Sequence, residues 1–130
     1  MTMVTNPTTP VRAARWVRLC AFEQLSVERG RAALVGDTQI ALFLLADGTV
    51  RAVSNYDPYS GAHVLSRGIV GTAAFAGGAV IPTITSPLHK QSWDLRTGTV
   101  VETHGHDERH ITSFAVAVDD GQVFVKWEEA

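Results

Sequence analysis

Five histidines and one cysteine bound the metal and nucleophile chemistry open to this chain. Cys20, alone, closes no internal disulfide and rules out a four-thiolate zinc or iron–sulfur site. Three imidazoles fall in Thr103-His104-Gly105-His106-Asp107-Glu108-Arg109-His110. Their His-x-His spacing suits chelation of zinc or nickel. Nothing in that polar, glycine-containing connector fixes a third ligand, however, and a solvated loop is expected. His63 and His89 lie near Ser60 and Ser86, but no orienting third group or strand–serine–helix elbow accompanies them, so a hydrolytic triad is not expected. Gly71, Gly77 and Gly78 sit in a strand–turn setting rather than before a helix, which gives no phosphate loop. The most distinctive stretch is Ser86-Pro87-Leu88-His89, followed at once by Trp93-Asp94-Leu95-Arg96-Thr97-Gly98.

The elements that must position these residues are short apolar runs between turn residues. Val17 and Leu19 alternate with Trp16, Arg18 and Cys20, which predicts a strand with the latter three on one face and a buried, inert thiol. A single helical turn is expected over 21–25. Residues 40–45 are apolar on both faces, as a central strand requires, and Asp47-Gly48 reverses the chain into 49–54. Asp119-Asp120-Gly121 does the same between 113–118 and 122–127, with Phe114, Val116 and Val118 on one face and Val123, Val125 and Trp127 on another. Trp16, Trp93 and Trp127 read as core aromatics. No helical period is sustained, and strands recur about every 8–12 residues with glycine-containing turns, the pattern of an all-β sandwich or small barrel. Between the flanking strands lie two irregular loops, from Asn55 to about Leu65 and from Ser86 to Gly98. They are separated by a hairpin turning at Gly77-Gly78, and loops on a rigid β scaffold are where function is expected.

The chain has 130 residues, 45% apolar and 18% charged, with a formal net charge of -2. Those values suit one globular domain over 15–128, preceded by a disordered lead over 1–14 around Pro7-Thr8-Thr9-Pro10. Scattered Lys and Arg argue against nucleic-acid binding. No signal-peptide core is evident, and the longest apolar run, 40–46, is too short to span a membrane. A cytoplasmic protein is expected.

Both loops resemble those of Rieske domains. In the cluster-binding form the first loop reads Cys-Pro-His-x-Gly-Ala; here it is Asp57-Pro58-Tyr59-Ser60-Gly61-Ala62. The second reads Cys-Pro-x-His-Gly-Trp-x-Phe-Asp-Leu-x-Thr-Gly, against which Ser86 replaces the cysteine, His89 is kept, and Trp93-Asp94-Leu95-Arg96-Thr97-Gly98 closes the motif. The closing hairpin, 113–125, is similar to the family's C-terminal strand pair. Within the family, Ser86-Pro87-Leu88-His89-Lys90-Gln91 and the stretch from Val64 to Gly71 resemble the small subunit of assimilatory NADH-dependent nitrite reductase.

The resemblance implies a Rieske-like all-β fold, an antiparallel sandwich or barrel base with a smaller loop-bearing subdomain over 55–98. It implies no catalytic residue, cofactor or metal in this chain, with Asp57, Tyr59, Ser86 and His89 as vestigial ligand positions. A Rieske centre needs two thiolates and two imidazoles, and hard oxygen donors match a sulfide-bridged cluster poorly. Hydrogen bonds among these four side chains are expected to stand in for iron–ligand bonds, with Pro58 and Pro87 limiting loop freedom. The implied partner is a large catalytic subunit carrying siroheme, [4Fe–4S], FAD and NAD(P)H, which reduces nitrite to ammonia. Tyr59, Ser60, Leu88, His89 and Lys90 at the loop tips are the candidate contact surface. Two alternatives stand beside this reading: a Rieske-type electron-transfer ferredoxin with non-standard ligands, and a free-standing interaction or metal-sensing domain built on the His104–His110 loop.

Overall fold

The computed structural model describes residues 13–74 and 77–129. Thirteen strands follow one another among them: β1 Ala13–Ala21, β2 Gly30–Val35, β3 Thr38–Leu44, β4 Val50–Ser54, β5 Tyr56–Asp57, β6 Ala62–His63, β7 Ile69–Ala74, β8 Val80–Thr85, β9 Ser92–Asp94, β10 Val100–Glu102, β11 Ser113–Phe114, β12 Val116–Asp119 and β13 Gln122–Glu129. Two 3₁₀ turns, Phe22–Gln24 and Leu65–Arg67, complete the order. The all-β expectation holds. No helix among the described residues is long and apolar enough to cross a membrane. Of the expected lead, 1–12 lie outside the described residues. Ala13 and Ala14 already belong to β1, paired with Glu129 and Glu128.

Three of the four antiparallel sheets stack around one shared element, and the fourth is the two-stranded β5-β6 of the first loop. Strand β3 is central in the order β11-β4-β3-β2, with β1-β13-β12 facing one side and β10-β9-β8-β7 the other. Because successive side chains of a strand point to opposite faces, β3 feeds two cores. Ile40, Leu42 and Leu44 join Cys20, Val50, Ala52, Val123 and Val125 in the base. Ala41, Phe43 and Leu45 join Val53, Leu65, Ile84, Trp93 and Leu95 beneath the loops. The unbroken apolar run of 40–45 is thus explained: it is buried on both faces and ties the base to the loop-bearing sheet. That smaller sheet runs past Gly98, since β10 is its edge strand.

Turn chemistry fixes the registers. At Asp120-Gly121 both residues have positive φ (50° and 72°) and Asp119 pairs with Gln122, the mirror-image two-residue turn whose twist suits a hairpin. Upstream of it the strand is split: Phe114 pairs with Ala52 of β4, while Val116 pairs with Val125 of β13. The chain therefore crosses from one sheet to the other at Ala115. Phe114 and Val116 pack on the base core, while Val118 is left exposed.

One face assignment and one core assignment are corrected. A register shift between Arg18 and Cys20 inserts Leu19 as an extra residue in β1. Such a bulge flips the alternation, so Cys20 enters the core instead of sharing the outer face with Trp16 and Arg18. Trp16 itself is 51% exposed rather than a core aromatic, because the inward places of β1 are taken by Val17 and Leu19. Trp93 is fully buried, and Trp127 packs partly buried against the base, stacked on Phe114.

Candidate functional site

The first loop hangs from Asn55, whose side chain is buried. Its Nδ2 donates to Gln39 Oε1 (3.0 Å) and to the His63 carbonyl (3.2 Å), and its Oδ1 accepts from Ser66 N–H (2.7 Å). Asp57 then organises the tip. Its Oδ1 accepts from the backbone N–H groups of Tyr59 (2.8 Å) and Ser60 (3.3 Å), and its carbonyl accepts from Gly61 N–H (2.8 Å). The second loop leaves β8 at Ser86, whose N–H donates to the Gln91 carbonyl (2.9 Å) and whose Oγ accepts from Leu88 N–H (3.2 Å). Across the gap, Ser86 Oγ donates to Asp57 Oδ2 at 2.6 Å, with both residues 0% exposed. This one buried bond joins the two loops.

A third segment, 103–112, clasps both loops. Tyr59 Oη donates to the Asp107 carbonyl (2.8 Å) and accepts from Arg109 N–H (3.0 Å). Arg109 Nη1 donates to the Pro58 carbonyl (2.9 Å), and its guanidinium lies 5.6 Å from the Tyr59 ring centroid, a cation–π arrangement. Trp93 Nε1 donates to the Arg109 carbonyl (2.8 Å), and His104 Nε2 donates to the Lys90 carbonyl (2.8 Å). Hydrogen bonding from Arg109 holds the Asp107 carboxyl below its ordinary value. The expected solvated loop is exposed in most of its side chains, yet its backbone is docked. His104 spends Nε2 on Lys90, and His110 Nδ1 accepts from Val100 N–H (3.0 Å). Among the described residues no three of His, Cys, Asp and Glu gather to hold a metal ion.

The motif from Trp93 to Gly98 is structural throughout. Trp93 and Leu95 fill the upper core, and Asp94, nearly buried, turns the chain. Burial works against ionisation of Asp94, but the Arg96 side chain (Nε 3.1 Å, Nη2 2.9 Å) and backbone N–H (2.8 Å) outweigh it and lower the carboxyl from its ordinary value. Gly98 has φ 80°, and a Cβ there would lie 1.9 Å from the Ile111 carbonyl oxygen. Only glycine lets the two backbones approach so closely, and the approach makes the bond from Ile111 N–H to the Gly98 carbonyl (2.8 Å).

The predicted residues separate into three groups. Asp57 and Ser86 are buried and bonded to each other; Tyr59 and Ser60 are half-buried; Leu88, His89 and Lys90 are exposed at the tip. Tyr59 is bonded to the third segment rather than to the other loop, and His89 lies beside it at a shared cleft. The donor set does not fit a [2Fe–2S] cluster. A cluster needs two thiolates and two imidazoles, whereas the two loops offer a carboxylate and a hydroxyl already in contact at 2.6 Å, with His89 as the one imidazole at the tip of the second loop. Asn55, Gln91, Asp107 and Arg109 were missed by sequence reasoning. The roles of Asn55, Asp107 and Arg109 depend on partners 8 to 51 residues away, and only the polarity of 103–110 pointed toward the last two.

Comparison with known proteins adds a consistent result. Residues 15–126 match the profile of the Rieske-like [2Fe-2S] domain. The nitrite reductase (NADH) small subunit of Escherichia coli K12 is 33% identical over 111 residues, covering 85% of this chain and 95% of that protein. A crystal structure of a candidate NADH-dependent nitrite reductase small subunit from Mycobacterium tuberculosis superposes with a TM-score of 0.75 at 34% identity, covering 93% of this chain and 100% of the other. The nitrite reductase [NAD(P)H] large subunit of Klebsiella oxytoca is 37% identical over 120 residues, 92% of this chain, but the chain spans only 11% of that protein's length.

Proposed function

The chain belongs to the Rieske-like [2Fe-2S] domain family, among the nitrite reductase small subunits, and from that premise we propose that it is a cluster-free accessory subunit that docks on the large subunit of an NADH-dependent nitrite reductase. The observation that carries this reading is the Ser86–Asp57 bond. It occupies the two thiolate positions and keeps the loops together by hydrogen bonding, so the loop end retains a shape without the means to transfer an electron. What such a domain can still do is bind. The stretch of a large subunit in Klebsiella oxytoca that aligns with this chain supports a place for the domain beside the catalytic machinery.

In this reading the nitrite-to-ammonia chemistry, with siroheme, [4Fe–4S], FAD and NAD(P)H, belongs to the large subunit. This chain supplies an ordered surface whose exposed tip is Leu88, His89 and Lys90 beside Tyr59 and Ser60. Asp57, Tyr59, Ser86 and His89 serve as positions of a lost cluster, and the protein acts in the cytoplasm. The test is a pull-down with the cognate large subunit, followed by nitrite-dependent NADH oxidation with and without this chain. A complex containing siroheme in the large subunit and no iron in this chain supports the proposal. A purified chain carrying two irons and visible absorbance supports the ferredoxin alternative instead.

A further inference from the structure

Strand β7 is the outermost strand of the loop-bearing sheet, and among the described residues nothing pairs with its outer side. A free strand edge is a template for another strand, and folded proteins guard such edges with charges, prolines, bulges or short length. The other edges here carry these guards. β1 has Arg18 and the bulge at Leu19, β2 has Arg31, and β10 ends on Glu102 after a register shift. β5, β6 and β11 have two residues each, and β12 has four and ends on Asp119. β7 has no such guard. It is six residues long, pairs with β8 without a shift from Ile69 to Ala74, and lies in a run, 68–88, that contains no Asp, Glu, Lys, Arg or His.

Pro82 fixes which backbone groups of β7 face outward. It has no N–H, its carbonyl accepts from Leu95 N–H at 2.9 Å, away from β7, and its opposite residue on β7 is Thr72. Opposed residues of an antiparallel pair either bond to each other or both turn away, and the two arrangements alternate along the strand. Thr72 therefore turns its N–H and C=O away from β8, and so do Val70 and Ala74 two residues to either side. These three residues offer donors and acceptors along the open edge.

We propose that β7 pairs with β7 of a second copy of this chain, antiparallel across a two-fold axis, and joins the two loop-bearing sheets into one. Outward groups must oppose outward groups, and a register centred on Thr72 achieves this: Thr72 meets Thr72, and Val70 meets Ala74 on each side. A two-fold axis sets the central side chain against its own copy, so a charge there would meet its like. β7 carries no charge, and threonine opposite threonine is a favourable cross-strand pair. This self-complementarity selects a second copy over an unrelated strand. The pairing adds a stoichiometry to the subunit reading without resting on it.

Sedimentation velocity of the full chain, from micromolar to millimolar concentration, reads the association. The weight-average mass should climb from 14.0 kDa toward twice that value. Residue-resolved amide exchange identifies the surface: the N–H groups of Val70, Thr72 and Ala74 should slow as concentration rises, while those of Ile69, Gly71 and Ala73, turned toward β8, stay protected throughout. Thr72→Lys, at an exposed position, should weaken association at least about tenfold, because like charges meet at the axis. It should leave the dilute chain folded, with its melting temperature nearly unchanged. Ala74→Pro is the second variant; it deletes an outward N–H and no bond to β8, and should weaken association likewise. A chain that stays monomeric at millimolar concentration overturns the proposal and leaves the subunit reading intact. A dimer that persists in both variants, or that leaves the three edge amides unprotected, overturns it too. Edge protection that appears only on adding the large subunit also overturns it, since the edge then serves that partner.

Discussion

Ser86→Ala removes one oxygen atom and isolates the bond on which the loop end depends. The hydroxyl donates to Asp57 Oδ2 at 2.6 Å and accepts from Leu88 N–H at 3.2 Å, with Ser86 and Asp57 both fully buried. A buried hydrogen bond to a carboxylate is worth roughly 1.5–3 kcal/mol, and its loss strands an acceptor that water cannot reach. The longer bond to Leu88 adds a few tenths. A loss of about 2–3 kcal/mol follows, which lowers the melting temperature of a domain this size by roughly 8–12 °C. Urea denaturation reads the same quantity as a lower midpoint at unchanged slope. A double-mutant cycle with Asp57→Ala then shows coupling above about 1 kcal/mol, since the two groups touch. Ser86→Cys falls between wild type and alanine, because a thiol is a weak donor. A loss below about 0.5 kcal/mol for Ser86→Ala would refute the claim that this bond replaced the cluster as the link between the loops.

Four further outcomes are expected. Gly98→Ala places a methyl within 1.9 Å of the Ile111 carbonyl at a φ of 80°, and denaturation should register a loss of at least about 2 kcal/mol. Tyr59→Phe severs both bonds to the 103–112 segment; amide hydrogen exchange at Arg109 should quicken while global stability drops by only about 1 kcal/mol. Asp94 has a lowered carboxyl pKa against an ordinary value of 3.8. Its contribution is therefore complete above that value and disappears as pH falls through the lower folded one. The stability gap between wild type and Asp94→Asn should hold at neutral pH and close below about pH 4. Burial pushes the Cys20 thiol up from its ordinary value, so a thiol reagent should modify it at the rate of unfolding and not before.

Much of this architecture is legible in the sequence, and the parts that are not share a cause. The run 40–45, the turn residues at Asp47-Gly48 and Asp120-Gly121, and the motif from Trp93 to Gly98 carry their meaning locally. Each states a burial or a backbone angle that its own residues require. The bulge at Leu19 does not, because a strand's alternation gives no sign of an extra residue until its partner β13 is in place. The strand face of Cys20 was misread for that reason, although its burial was not. The same holds at the site. The loop motifs singled out Asp57 and Ser86, which the structure brings into contact, but Tyr59's bonds run to a segment 48 and 50 residues away. The histidines of 103–110 drew attention as metal ligands, whereas His104 and His110 bond to the backbone of neighbouring segments and Asp107 and Arg109 engage Tyr59 and Trp93 through their own backbone groups. Backbone roles leave little trace in residue type.

The central claim is that the cluster-binding end of this domain survives as a docking surface. Hydrogen-exchange mass spectrometry of the chain alone and in complex with its cognate large subunit tests it most directly. Protection gained at 56–62, 86–91 and 104–109, with the outer face of β1, β12 and β13 unchanged, is the predicted result. Protection confined to β1, β12 and β13, with the loop tips exchanging as in the free chain, would contradict it.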